Sequence, residues 1–376
     1  MKKYIIIAFA ALAASVACSK VEIVELQKEI SFEVVNSSVQ TKAFSGSIYS
    51  NGDFGTYAWF NDTTEFMVNE KVGKAGGVWK TVDHTFYWPK TGSVSFISYS
   101  PFAGTSNTAG TTPVVKADSL LYNGVTAGTT DLMYADRATC SNNVNEVLDS
   151  LGRGSDSGFS GVPTIFRHAL AKLSFKVMAN FIEWTDTTTT PASVTKWEIT
   201  LNSFKIKGFN TTGDLKLALN TDKKTWHNAD STAVGSKKYN VWTNLSGATA
   251  AQELVDAPIV LDTTAVDLAA ATGYVLPQVL ADGVQTVDIN AHIKTTLANG
   301  KIIEEDFIKT ININKISTLK AWQMNENIVY TIKFKPTASA LNPGDAHDDD
   351  PEDVIIKFDP AVAEWTPVAA AATIQL

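Results

Sequence analysis

The chain has 376 residues, of which 44% are hydrophobic and 19% charged, with a formal net charge of -8. One core rarely grows past roughly 250–300 residues, so two domains are expected. Three arginines (Arg137, Arg153, Arg167) and no basic run argue against nucleic acid as a partner, because phosphate contact needs clustered Lys and Arg.

Residues 1–18 read MKKYIIIAFAALAASVAC. Lys2 and Lys3 form a positive n-region, and Ile5 to Ala14 form an apolar run of signal-peptide length, too short to span a bilayer. Small residues then lead into Cys18, which resembles the lipobox of bacterial lipoproteins, with Ser15 where Leu is usual. The resemblance implies a signal peptide over 1–17, acylation of Cys18 and a tether over 18–28. An ordinary signal peptide cut near Ala17, or an uncleaved anchor, is the alternative. Removing 1–17 takes away two lysines and carries the formal charge from -8 to -10. The one other cysteine, Cys140, then has no intramolecular partner, so disulfides do not staple the fold. It is expected in a polar loop.

From residue 29 the pattern is strand after strand. EISFEVV (with Phe32 and Val34 alternating), TFYW, SVSFISYS, KLSFKVMANF, TVDINAHIKTTL and IVYTIKFK show period-two alternation or β-branched and aromatic enrichment. In KWEITLNSFKIKG, Trp197, Ile199 and Leu201 share one face, then the register slips to Phe204 and Ile206, as a bulge produces. Gly, Asn, Asp and Thr clusters such as NGDFG, AGGV and NTTGD supply the turns. NNVNEVLDSLGRG (142–154) is the best short helix. The spacing predicts an all-β chain of two β-sandwich domains with Greek-key connections. A glycine-rich linker at 154–161 sets their limits at 29–160 and 161–376.

Five segments resemble the fimbrillin-like proteins, the type V pilins of Bacteroidales. They are FYWPKTGSVSFISYSPF (86–102), TDLMYADR (130–137), FRHALAKLSFKV (166–177), AWQMNENIVYTIKF (321–334) and VIIKFDPAVAEW (354–365). The resemblance implies transthyretin-like sandwich domains, export as a lipoprotein to the outer membrane surface, and a non-enzymatic fimbrial subunit that mediates adhesion. It also implies partners: other fimbrillin subunits, the outer membrane through the lipid, and a host or bacterial receptor. In that family a protease removes the first strand, and the groove left behind accepts a strand from the next subunit. Here the loop after the first strand carries Lys42-Ala43 and no Arg, so Arg-specific cleavage is excluded and a Lys-accepting protease is required. An uncut, solvated Lys42 is the other reading. The C-terminal PVAAAATIQL offers Val368, Ile374 and Leu376 as a donor strand, or packs on its own domain. The alternative function is a lipid-anchored glycan-binding protein of a nutrient-uptake system, which needs an exposed aromatic platform. Trp59, Trp79, Trp226 and Trp242 lie beside turn-like segments, with burial the favoured reading for each.

No enzyme motif and no cofactor is indicated. The five histidines (84, 168, 227, 292, 347) lack metal-ligand spacing. His168 is expected to be packed or hydrogen-bonded. GSDSGFSG does not fit a nucleophile elbow. The acidic run around Asp348, Asp350 and Asp353 is a weak metal candidate, since it lacks EF-hand spacing. Asp62-Thr63-Thr64, Asp118-Ser119-Leu120, Asp149-Ser150-Leu151 and Asp262-Thr263-Thr264 resemble O-glycosylation acceptors of these bacteria.

Overall fold

The computed structural model describes residues 29–36, 52–104, 112–128, 130–141, 161–188, 190–223, 225–268, 273–316, 319–335 and 355–362. Regular structure among them is β, apart from one helical turn at Ile313–Ile316. The first strands are β1 (Phe32–Asn36), β2 (Phe54–Phe60), β3 (Thr64–Ala75), β4 (Val78–Thr81) and β5 (Ser93–Ser100). Gly76 and Gly77 alone join β3 to β4, both at positive φ (59° and 85°). A two-residue hairpin of that twist needs positive φ at both positions, which glycine adopts without strain. The chain continues through β6 (Val114–Lys116), β7 (Ser119–Thr126), β8 (Met133–Ala135), β9 (Ala138–Ser141) and β10 (Val162–His168).

Eight of these strands form one sheet in the order β2-β3-β4-β1-β10-β8-β5-β9, and β5 also pairs with β2. The first seven therefore close into a ring. Inside it Phe32, Phe54, Met67, Val72, Phe96 and Phe166 pack together. The wall made by β2, β5 and β8 is apolar on both faces. Val94 and Phe96 point into the ring, whereas Ile97 and Tyr99 point out into a second core with Trp59, Leu132 and Tyr134. That is why SVSFISYS reads as a continuous buried run rather than a polar-apolar alternation.

The second half starts with β11 (Ala171–Ala179), β12 (Glu183–Asp186), β13 (Ser193–Lys207), β14 (Thr212–Leu219) and β15 (Trp226–Asn228). β11 pairs in parallel with Asn327–Lys335, which pairs antiparallel with Ile355–Val362. β12, β13, Thr286–Thr296 and Ile302–Asn312 form a second sheet. Leu173, Phe175 and Val177 of β11 pack with Ile199, Leu201 and Phe204 of β13 in a shared core, giving the all-β sandwich expected. The bulge is present: the ladder between β13 and Thr286–Thr296 shifts between Leu201 and Ser203.

The halves are joined by more than one strand connection. β7 pairs antiparallel with β14, and β6, β15 and Thr243–Ser246 complete that sheet. The core behind it stacks Tyr122 on Trp242, centroids 6.3 Å apart, and Trp242 Nε1 donates to the Ala169 carbonyl at 2.9 Å. A charged pin lies nearby. Arg137, with a side chain 4% exposed, pairs with Asp62 and donates through Nη1 to the Lys223 carbonyl at 3.0 Å.

Cys140 corrects one expectation. It lies in β9, paired with Val94, and its side chain is buried in the ring core. Burial pushes its thiol up to about 12 from an ordinary 9.0. At pH 8 the thiolate fraction then falls about 10³-fold. The folded chain is expected to resist DTNB at that pH and to react once denaturant opens the ring; rapid labelling of the native chain would contradict this burial.

Candidate functional site

β1 is the strand on which any opening of the ring depends. It runs parallel to β10, with Phe32 beside Val162 and Asn36 beside Phe166, and meets β4 through Phe32 and Trp79. Phe32 is 3% exposed. Its ring is edge-on to Phe54 at 5.7 Å and to Phe96 at 5.6 Å, a geometry that aromatic quadrupoles favour. Ile30, also buried, donates its N–H to the Phe86 carbonyl at 2.9 Å, and Val162 donates to the Ser31 carbonyl at 2.8 Å. Gly161 lets β10 start this close, since a Cβ there would lie 2.7 Å from the Phe32 carbonyl carbon. The outer end of β1 is held more loosely: Glu29 makes an exposed 3.7 Å ion pair with Lys80, worth little in water. Take β1 away and the slot between β4 and β10 bares both an apolar trough and unpaired main-chain groups.

A second convergence lies at the junction of the halves, where three of the five segments singled out in the sequence meet. Ala169 N–H donates to the Leu132 carbonyl at 2.8 Å, Asn325 N–H to the Leu170 carbonyl at 3.1 Å, and Lys172 N–H to the Glu326 carbonyl at 2.8 Å. His168 Nδ1 bonds Asp131 Oδ2 at 2.7 Å, so the hydrogen-bonded histidine expected there is found. Arg167 grips Asp136 with Nε and Nη2, at 2.8 and 2.7 Å. Those bonds raise the guanidinium's pKa further.

The other expected positions divide. Cys18, Lys42, Ala43, Asp348, Asp350, Asp353, Val368, Ile374 and Leu376 lie outside the described residues, as do the 142–154 helix and nearly all of the glycine-rich linker. Among the described residues no group of three His, Cys, Asp or Glu could hold a metal ion, and no helix is long and apolar enough to cross a membrane. Trp59 and Trp242 are buried; Trp79 and Trp226 are half-buried. None of the four stands out as an exposed platform. Asp62 is engaged by Arg137 and by Ser95 Oγ at 2.6 Å, while Asp262, Thr263 and Thr264 are all exposed.

Comparison with protein families matches residues 41–365 to the fimbrillin-like family. The chain belongs to that family. No curated protein matches it. Among solved structures it is similar to a fimbrial protein from Bacteroides vulgatus, at 15% identity over 90% of this chain and 99% of that one, with a TM-score of 0.47. It is also similar to a "putative cell adhesion protein" from Bacteroides uniformis, at 17% identity, 90% and 98% coverage and a TM-score of 0.43. A third is the fimbrial anchor protein Mfa2 from Porphyromonas gingivalis, at 11% identity, 89% and 97% coverage and a TM-score of 0.28.

Proposed function

We propose that the chain is a non-enzymatic fimbrial subunit or fimbrillin-like surface lipoprotein, anchored through Cys18 and able to assemble by strand exchange. The observation that supports this reading is the position of β1. It completes a closed ring, yet it sits at the N-terminal end of the fold and is linked to β2 by residues 37–53, which include Lys42-Ala43. Cleavage there frees β1 covalently while leaving β2 to β10 intact. The vacated slot offers main-chain groups along β10 and a trough over Phe54 and Phe96 to an incoming strand, which gains ladder bonds and side-chain pockets together. The C-terminal residues Val368, Ile374 and Leu376 of a neighbouring copy supply the alternating side chains. Such a head-to-tail contact does not close on itself, so it builds a filament at the outer membrane surface. Two sandwich domains, divided near residue 160, and loops presented for adhesion belong to the same reading.

The N-terminus and mass of the protein on its native cell surface test this. An unlipidated chain starting near Ala43, running as an SDS-resistant ladder, is the expected result for a polymerising subunit. A chain starting at acylated Cys18 would overturn cleavage at Lys42 and leave a lipid-anchored adhesin. Any other start removes both assignments.

A further inference from the structure

The seam between the halves holds a pocket of about 300 Å³ that strand exchange does not use, lined chiefly by Tyr134, Asp136, Arg167, Trp226, Asn240 and Met324. That volume is at the small end of ligand sites, which run from roughly 300 to 1,000 Å³ and favour junctions between structural units. Tyr134 and Arg167 come from the ring, on β8 and β10. Trp226 opens β15, and Asn240 and Met324 lie in connections of the second half.

Five features say what it would hold. Asp136 and Arg167 neutralise each other through two hydrogen bonds, so the pocket has no net charge to offer an anion or a cation. The third guanidinium nitrogen, Arg167 Nη1, has no protein partner among the described residues and keeps two donors. Tyr134 is 6% exposed, yet its hydroxyl has no hydrogen-bond partner among the described residues. The hydroxyl is open to solvent on the pocket side, so a ligand entering there can reach it. Burial also holds its pKa near 12, so it stays a neutral donor and acceptor at physiological pH. At the rim, the exposed Asn240 amide is likewise unpartnered among the described residues and offers both donors and an acceptor. Trp226 is locked by its Nε1–H bond to the Ala135 carbonyl at 2.9 Å, which fixes the indole plane and commits its only polar atom. What remains of the ring is an apolar surface.

An apolar ring surface, neutral groups that donate and accept, and no net charge together fit a molecule with hydroxyls around its edge and C–H groups on its face. We propose that this pocket binds one neutral pyranose, as the terminal sugar of a glycan. The site needs neither cleavage nor polymerisation, so it stands apart from the assembly reading.

The test is saturation-transfer NMR on the mature full chain, using the methyl pyranosides of glucose, galactose, mannose, fucose and N-acetylglucosamine, with N-acetylneuraminic acid as the charged comparison. At least one neutral glycoside is expected to bind with a Kd on the order of 1 mM, ordinary for a single small ligand held by a few hydrogen bonds. Tyr134→Phe and Asn240→Ala are each expected to weaken it about five- to tenfold, the loss of one hydrogen bond. The thermal midpoint should stay put, because Tyr134→Phe keeps the packed ring and neither the Tyr134 hydroxyl nor the Asn240 amide is hydrogen-bonded to protein among the described residues. Three results overturn the proposal: no neutral glycoside binding tighter than about 10 mM, binding unaffected by both substitutions, or binding confined to the charged sugar. A chain that binds sugar but never forms a ladder would sink the assembly reading and leave this one standing.

Discussion

Phe32→Ala is expected to destabilise the ring by about 3–5 kcal/mol, the range for removing a fully buried aromatic side chain. Phe32 sits between Phe54 and Phe96, both themselves buried, so the surrounding rings have little freedom to collapse into the cavity. The same substitution weakens the only pairing between β1 and β4, because that pairing runs through Phe32 and Trp79. Two consequences separate β1 from an ordinary core strand. Equilibrium denaturation of Phe32→Ala should show an early transition with increased ANS binding, as the slot opens before the sandwich of the second half unfolds. In addition, a chain cut experimentally after Lys42 should lose β1 more readily in the variant than in the wild type. A single unchanged transition, with β1 retained after cutting, would show that the strand is held by something other than this aromatic contact.

Asp62→Ala is expected to cost about 3 kcal/mol, and more than replacing its buried partner. Arg137 is the hidden member of the pair, 4% exposed against 34% for Asp62. Its Nε has no hydrogen bond, so Asp62 and the Lys223 carbonyl are its protein partners among the described residues. Deleting Asp62 strands a cation out of water, and a buried charge stripped of its partner is heavily penalised. Arg137→Met removes the charge instead. Asp62 then keeps Ser95 and turns to solvent, so this change should cost roughly 1–2 kcal/mol. Chemical denaturation of both variants checks the order. If Arg137→Met proves the more damaging, the contact with Lys223 outweighs the ion pair, and the pin matters for joining the halves rather than for neutralising charge.

How much of this was legible in the sequence varies with the range of the interaction. The bulge in β13 is written in the spacing of Trp197, Ile199, Leu201, Phe204 and Ile206, because one buried face forces a period of two and any slip shows. The turn at Gly76-Gly77 is legible for the same local reason. Cys140 was not. Its neighbours Thr139, Ser141 and Asn142 read as a loop, and only the partner strand at Ser93–Phe96 turns the thiol inward. β1 could be recognised as a strand, but not its slot, since parallel pairing with β10 depends on residues 130 positions away. The sugar pocket was least visible. Trp226 stands out only as one of four tryptophans beside turns, Tyr134 and Arg167 as parts of two separate segments, and Asn240 not at all; only the seam collects them. The unused hydroxyl of Tyr134 leaves no trace in sequence.

The excursion of β6 and β7 carries a mechanical consequence. The chain leaves the ring after β5, adds β7 to β14 in the other half, and returns to the ring at β8. It crosses for good at Ala169-Leu170. A hinge usually turns on a few residues in a single connection. Here rotation would have to break the Tyr122 hydroxyl bond to the Met133 carbonyl, the Trp226 indole bond to the Ala135 carbonyl and the Arg137 bond to the Lys223 carbonyl at once. The two halves are therefore expected to turn together rather than as beads on a string. Tension applied to one half is then passed to the other through several crossings rather than one connection.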